Sequence, residues 1–426
     1  MRTEPASPLQ NRRILVAVCG SIAAVKTPLL VSGLVKSGAE VRCVITASAA
    51  RLVSPLALAC LSRHRCYQTD DQWDPACSRP LHIELAEWAE LVILAPLTAT
   101  TLNRWSQGSA DDLLASVLLA VEVPVVAAAA MNTAMWRHPA VQRNWEVISS
   151  WPELVPLLPE AGLLACDRVG DGRMADPVLI QLAAAALFSR DGTTAVADRD
   201  LAGQKLLVTA GPTCEAIDSA RMLSNRSSGR MGVLLAQAAR LRGATVELVH
   251  GPLAVPEAWL EGLHCCSVTS AAEMESALLQ RQAAADVVVM AAAIADLRRS
   301  AAIGSKVSKA QLPEVLSQNW ILVPDLLAGL VSRRSAGQVL LGFSALSGDD
   351  QTLIDTGERK RRAKGCDLMF VNPIDRSGQG FGDQDNGGWL LAEGWRRQLG
   401  VMPKLALAQR LLNNLRDIQA AASKTS

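Results

Sequence analysis

One pattern, written twice, restricts what this chain can fold into more than anything else in it. Residues 12–46 read RRILVAVCGSIAAVKTPLLVSGLVKSGAEVRCVIT: an apolar run of strand length, a glycine turn, a helical stretch, a Gly-Ala step and a second apolar run. Residues 204–213, QKLLVTAGPT, open the same way, and after an insertion SSGRMGVLLAQAARLRGATVELVHG (227–251) completes the same grammar. More unbroken apolar runs follow in each half: ELVILAPL and VPVVAAAAMN, then DVVVMAAAIAD, VLLGFSA and DLMFVN. A strand that is apolar on both faces has to be covered on both, and strand–helix alternation supplies parallel sheets flanked by helices. Two α/β domains are therefore expected. The polar, aperiodic SRDGTTAVADRD separates them, giving domains at 1–190 and 201–426 with a linker at 191–200.

At 426 residues the chain exceeds what one core ordinarily fills, and half of it is apolar with a mean hydropathy of +0.19. Lys plus Arg (42) nearly match Asp plus Glu (41), so no global basic field points to nucleic acid. Any anion site must be local. The greasiest stretch, LLASVLLAVEVPVVAAAAMN, carries Glu122 and Pro124 in its middle. It reads as helix, turn and buried strand, since a membrane helix needs ~20 unbroken apolar residues. The opening MRTEPASPLQNRR is polar, with no signal-peptide apolar region behind it. Ten cysteines are scattered without a CxxC pair, which reads as reduced thiols, mostly core, and not as disulfides or a zinc site. The expectation is a cytoplasmic protein that binds neither membrane nor nucleic acid.

In such sheets ligands sit at the carboxyl ends of the strands, where helix N-termini offer free N–H groups. LSNRSSGRMG (223–232) places hydroxyls, an amide and a guanidinium at the mouth of a helix. It reads either as an anion cradle or as a long N-cap, and taken alone the cap is the commoner use of Ser and Asn there. Neither half contains GxGxxG, which disfavours an ordinary NAD dehydrogenase.

In order and spacing, GSIAAVK, HIELAEWAE, LAPLTATT, AMNTAMW, CDRVGDGRMADP, TAGPT, SNRSSGRMG, AAAIAD and KVSK resemble one family. It is that of the bifunctional phosphopantothenoylcysteine decarboxylase / phosphopantothenate–cysteine ligases of bacterial coenzyme A synthesis. The resemblance runs from about residue 13 to about residue 415. It implies an N-terminal flavodoxin-like or Rossmann-like flavoprotein decarboxylase that uses FMN, and a C-terminal Rossmann-like ligase. The ligase joins cysteine to 4'-phosphopantothenate through an acyl-cytidylate, with CTP and Mg2+. The decarboxylase then converts 4'-phosphopantothenoylcysteine to 4'-phosphopantetheine. The resemblance also implies a homo-oligomer built on trimeric flavodomains.

Decarboxylating a cysteinyl group directly would leave an unstabilised carbanion, and no side chain here can act as the electron sink. A flavin can, by oxidising the thiol carbon. On the resemblance, His82 is the general acid–base, at a strand or loop edge; elsewhere such a residue is surface or satisfied core. Asn132 holds the substrate carboxylate, against the plain reading of a turn or cap. Cys166, in a glycine-hinged flap near Arg173, donates a proton; its plain reading is an inert buried thiol. FMN falls to Gly20, Ser21 and Lys26 at the first helix start, to Thr46, and to Pro96 and Thr98. Ser109 to Asp112 are weaker candidates, because the family often has Asn within that pair of acids. Ala130 stands where the family usually has Pro.

Activating a carboxylate with a nucleoside triphosphate gathers negative charge, so ligation needs donors, cations and a metal ion. The resemblance makes Asn225 the catalytic amide and Lys306 the activating lysine, with Lys309 a second cation. Arg226, Ser227, Ser228 and Gly229 hold phosphates. Asp296 binds nucleotide or metal and Phe343 packs on the base or ribose. Lys360 and Lys364, four apart on one helical face, form a phosphate clamp. For the lysines the plain reading is a solvated loop, and for Phe343 it is core. Three departures stand against the family pattern: Cys214 where an Arg is usual, Ser344-Ala345-Leu346-Ser347 lacking the usual acid, and Val323 before Pro324-Asp325. The rival readings are a decarboxylase with a degenerate ligase half and a non-enzymatic flavin-binding regulatory protein.

Overall fold

Apolar runs become buried strands wherever the sequence leaves a turn on both sides of them. In the first half these are β1 (Arg13–Val18), β2 (Glu40–Ile45), β3 (Cys66–Tyr67), β4 (Leu91–Leu97), β5 (Val125–Ala129) and β6 (Leu154–Leu157). All seven residues of β4 and all five of β5 are buried, as strands covered on both faces must be. The computed structural model describes residues 7–76, 78–165, 167–190, 197–301, 303–380, 382 and 385–425, with side chains up to 420. It divides into two units, Met1–Arg199 and Asp200–Ser426.

In the first unit the strands pair in parallel in the order β3-β2-β1-β4-β5-β6. Of the two expected arrangements this is the Rossmann order, and the direction of winding reverses between β1 and β4. Leu15, Ala17, Leu94, Ala127 and the helix residues Leu85, Leu102, Leu114 and Val117 form one continuous core. The greasy stretch resolves as expected into helix Leu113–Ala120 and β5, and among the described residues no helix is long and apolar enough to cross a membrane.

A hairpin follows, β7 (Glu160–Leu163) and β8 (Val169–Arg173), antiparallel. Cys166 lies outside the described residues. Gly172 is held in close contact. Gly172 lies flat against the residues after β5: Met131 N donates to Gly172 O at 3.2 Å, and a Cβ at Gly172 would stand 2.3 Å from Met131 O. Close approach requires the glycine here.

The second unit repeats the plan with β9 (Lys205–Ala210), β12 (Thr245–His250), β13 (His264–Ser267), β14 (Val287–Met290), β17 (Val339–Leu346) and β18 (Leu368–Pro373). Two ribbons interrupt it, β10 (Cys214–Ala216) with β11 (Met222–Ser224), and β15 (Leu297–Arg299) with β16 (Trp320–Leu322). Two further strands, β19 (Asp385–Ala392) and β20 (Trp395–Pro403), extend the sheet antiparallel, in the order β13-β12-β9-β14-β17-β18-β19-β20. This hairpin is absent from the sequence reading, because Gly387 and Gly388 break the alternation of β19 where the register shifts. Asp200, placed in the linker by sequence, is bound into this unit: Arg242 and Arg416 each donate to it at 2.6 Å.

Candidate functional sites at the two switch points

In the first unit the loops after β1, β2, β4 and β5 meet at the sheet's carboxyl edge, and each ends in a capping side chain. Ser21 Oγ accepts from Ala23 N (3.4 Å), Thr46 Oγ1 from Ala49 N (3.2 Å), Thr98 Oγ1 from Thr101 N (3.4 Å) and Asn132 Oδ1 from Ala134 N (2.9 Å). The capping reading of Asn132 thus holds, and the same residue faces the cleft. Two adjoining clefts share Ser21, Met131 and Asn132. The first, about 310 Å³, is rich in hydroxyls: Ser21, Thr46, Ser48, Thr98, Thr100 and Thr101, with Gly20 and Arg104. The second, about 340 Å³, is more apolar and lies between the 3-10 turn Ile22–Lys26 and the β7–β8 hairpin, with Lys26 and Arg173 on its rim. Gly20 brings the β1 loop so close to Ser48 that a Cβ would stand 2.4 Å from Ser48 Cβ. Beneath, burial pushes the Cys19 thiol up to about 12, so it adds no negative charge to the floor. A hydroxyl-lined, bare-backbone cradle joined to an apolar slot fits a flavin with a phosphate tail.

Three expectations change here. His82 sits inside helix Leu81–Trp88, half-buried, and not at a strand or loop edge; it lines neither cleft. Pro96 is buried within β4, where the pairing to β5 shifts register between Leu94 and Leu97, and it too lines neither. Ser109 to Asp112 stand behind the cleft, where Asp111 and Asp112 pair with Arg104. Sequence reasoning missed Arg104, Ser48 and Thr101. Arg104 was within reach, since Thr100 and Thr101 precede it by four and three residues on one helical face.

In the second unit a cleft of about 650 Å³ crosses the ends of β14, β17 and β18. Asn225 lines it, exposed, with Nδ2 donating to Ala293 O at 3.2 Å and Ile294 O at 3.0 Å. It caps no helix. The N-cap of helix Arg230–Leu241 is Gly229, at φ +74, whose Cβ position lies 3.0 Å from Gly211 N. A side chain there would part the two loops, so glycine is required. The N-cap reading of Asn225 is therefore wrong, and its amide ties the segment after β11 to the loop after β14. Ser227, Ser228 and Gly229 line the cleft beside it, whereas Arg226 is exposed outside.

Phe343, partly buried, lines the cleft and also meets Phe370 edge-on at 5.4 Å. Lys360 Nζ donates to Ser344 Oγ at 3.3 Å, and Lys364 pairs with Asp325, the N-cap of helix Leu326–Val331. Of the departures from the family pattern, Ser344 is a partner of Lys360, whereas Lys364 is held by Asp325, which the pattern shares. Cys214 is buried, its thiol 3.3 Å from Ser224 Oγ. Asp296 is exposed in the cleft, six residues beyond β14 and not at its end. Lys306 and Lys309 are exposed and do not line it. Their loop is tethered through Val307, whose N–H donates to buried Asp218 at 3.1 Å. The N–H of Ala220 foremost, with those of Val307 and Arg221, holds the Asp218 carboxyl below its ordinary value. Sequence reasoning missed Arg230, Asn372, Asn386 and Lys404, which also line the cleft.

Two doubly wound units, one carrying a flavin-sized cradle and the other a long cleft lined by Lys360 and Lys364, have the form of a flavoprotein fused to a nucleotide-site domain. Residues 2–188 match the Flavoprotein family, and residues 201–418 match the DNA/pantothenate metabolism flavoprotein C-terminal domain. The chain is 37% identical to the coenzyme A biosynthesis bifunctional protein CoaBC of Bacillus subtilis (strain 168), over 98% of each chain. It is 36% identical to the protein of that name from Escherichia coli (strain K12), over 96% of this chain and 97% of the other. Among solved structures, the FMN binding protein AtHal3 is 34% identical over 40% of this chain and 93% of its own, with a TM-score of 0.37. The chain belongs to the CoaBC family. It is a bifunctional coenzyme A biosynthesis enzyme, decarboxylase and ligase, and its N-terminal unit is an FMN-binding flavoprotein domain.

Proposed function

We propose that residues 201–426 ligate cysteine to 4'-phosphopantothenate at the expense of CTP, and that residues 1–190 decarboxylate the product. In the first step the substrate carboxylate attacks the α-phosphorus of CTP and pyrophosphate leaves. The cysteine amine then attacks the acyl carbon and CMP leaves. Ser227, Ser228 and the Gly229 backbone cradle phosphates, Lys360 and Lys364 clamp them, and Phe343 packs on the nucleoside. Arg226, Lys306 and Lys309 act from outside the cleft's walls, and Lys306 reaches in when its loop closes. Mg2+ arrives with the nucleotide, since it prefers phosphate oxygens and water with one or two carboxylates; Asp296 is that carboxylate. The observation that carries this reading is the Asn225 amide, fixed by two backbone carbonyls at the cleft, where a donor can meet developing negative charge.

In the N-terminal unit, Gly20, Ser21, Thr46 and Thr98 hold the FMN tail and Lys26 lies beside the apolar slot. Bound FMN supplies the two-electron chemistry that makes CO2 loss possible. Asn132 orients the substrate carboxylate without adding charge. Cys166 protonates the product, and Arg173 holds the hairpin side of the slot. Ile22, Val25 and Leu29, each more than half exposed, form an apolar stripe on the rim. The stripe supports a homo-oligomer, in which a neighbouring subunit supplies His82 as acid–base. The proposed setting is cytoplasmic.

Pyrophosphate release measured before cysteine is added tests the ligase half directly. Release should require 4'-phosphopantothenate and favour CTP over ATP. A protein that releases none with either nucleotide has a degenerate ligase half, and the proposal fails.

A further inference from the structure

Among its described lining residues, the cradle proposed for the flavin tail has one cationic side chain. A flavin mononucleotide phosphate is close to a dianion, and of the residues lining the hydroxyl-rich cleft only Arg104 is ionic. Arg104 lies on helix Ala99–Gln107, six residues past the Thr98 cap, with its side chain about one-third exposed. Its guanidinium is already engaged. Nη1 donates to Asp112 Oδ2 at 3.0 Å, and Nη2 contacts Asp111 Oδ2 at 2.9 Å.

The two acids differ in how they are held. Asp112 is the N-cap of helix Leu113–Ala120, with Oδ1 accepting from Ala115 N at 2.7 Å, and is mostly buried. Asp111 is half exposed. One cation facing two carboxylates leaves a local excess of one negative charge beside a site meant for an anion, and like charges at this range disfavour binding.

We infer that Arg104 is the counter-charge for the flavin phosphate and that Asp111 competes with the phosphate for it. The inference rests on the flavoprotein reading of this cleft. Asp112 acts as a positioning residue, holding the guanidinium by one edge. Asp111 sets affinity: it neutralises Arg104 until a phosphate takes its place, and so weakens FMN binding without touching the flavin. Arginine suits this role because its fork can keep one carboxylate while offering its other N–H groups to phosphate.

Flavin-stripped full-length protein titrated with FMN and with riboflavin, followed by flavin fluorescence, separates a phosphate contact from a structural one. Arg104→Met should weaken FMN about 10- to 100-fold, the range for a charge-assisted contact. Riboflavin, which lacks the phosphate, should change less than about twofold on the same reasoning. Arg104→Lys should recover part of the FMN loss. Asp111→Asn should tighten FMN about threefold, as expected for release of a partly exposed ion pair, and leave riboflavin unchanged. Equal losses for both flavins in Arg104→Met would make Arg104 structural and overturn the inference, as would an Asp111→Asn protein with unchanged FMN affinity. If the unmodified protein takes up neither flavin, the flavoprotein reading falls, and this inference with it.

Discussion

Asn225 shows how much one side chain's partners decide. Asn and Asp cap helices about equally well, so a capping Asn225 would tolerate Asp. Here the amide instead donates to Ala293 O and Ile294 O, and a carboxylate would face both carbonyl oxygens with no proton to give. Asn225→Asp should therefore lower ligation by on the order of 10²–10³, the loss typical of one removed oxyanion donor, with repulsion of the acyl phosphate adding to it. FMN-dependent decarboxylation of supplied 4'-phosphopantothenoylcysteine should be unchanged. Assaying both half-reactions on one preparation checks this. Wild-type ligation would remove Asn225 from the chemistry. At this scale the sequence revealed residue types at loop tips, such as Ser21, Thr46, Thr98 and Asn132. It did not reveal which side chains face a cleft. Arg226 and Ser227 are neighbours, yet only Ser227 lines it.

At the scale of elements, the strand–turn–helix units were legible because buried parallel strands write themselves as unbroken apolar runs. The β19–β20 hairpin was not, since two glycines interrupt its alternation and its partner β20 is largely exposed. The β7–β8 hairpin was legible only as a glycine-rich segment, because sequence does not distinguish a glycine needed for close contact, as Gly172 is, from one needed for motion. Gly172→Ala tests the close contact. A methyl group 2.3 Å from Met131 O must push the hairpin off the Asn132 loop. Decarboxylation should fall at least about tenfold if the displacement approaches 1 Å, as misplacement of that order near reacting groups does. Ligation should not change. A Gly172→Ala protein with full decarboxylase activity would mean that the hairpin does not help shape the slot.

At the scale of the whole molecule, two copies of one folding plan carry two clefts of different chemistry. The hydroxyl cradle of the first unit has one arginine, Arg104, shared with Asp111 and Asp112. The longer cleft of the second is lined by Lys360 and Lys364, with Asp296 and Asp325 to set against them. The two-unit plan was readable from the repeated opening alone. The positions of His82, Lys306 and Lys309 outside the clefts were not, because a motif names a residue and not the surface that completes its site. The central claim is that one chain performs both reactions in succession. The most direct measurement supplies 4'-phosphopantothenate, CTP, Mg2+ and carboxyl-labelled cysteine to the purified, FMN-loaded protein. Pyrophosphate, labelled CO2 and 4'-phosphopantetheine are then followed together. The account predicts all three in equal amounts, with CO2 lagging pyrophosphate and no CO2 when CTP is left out. Pyrophosphate without labelled CO2, or labelled CO2 without CTP, would contradict it.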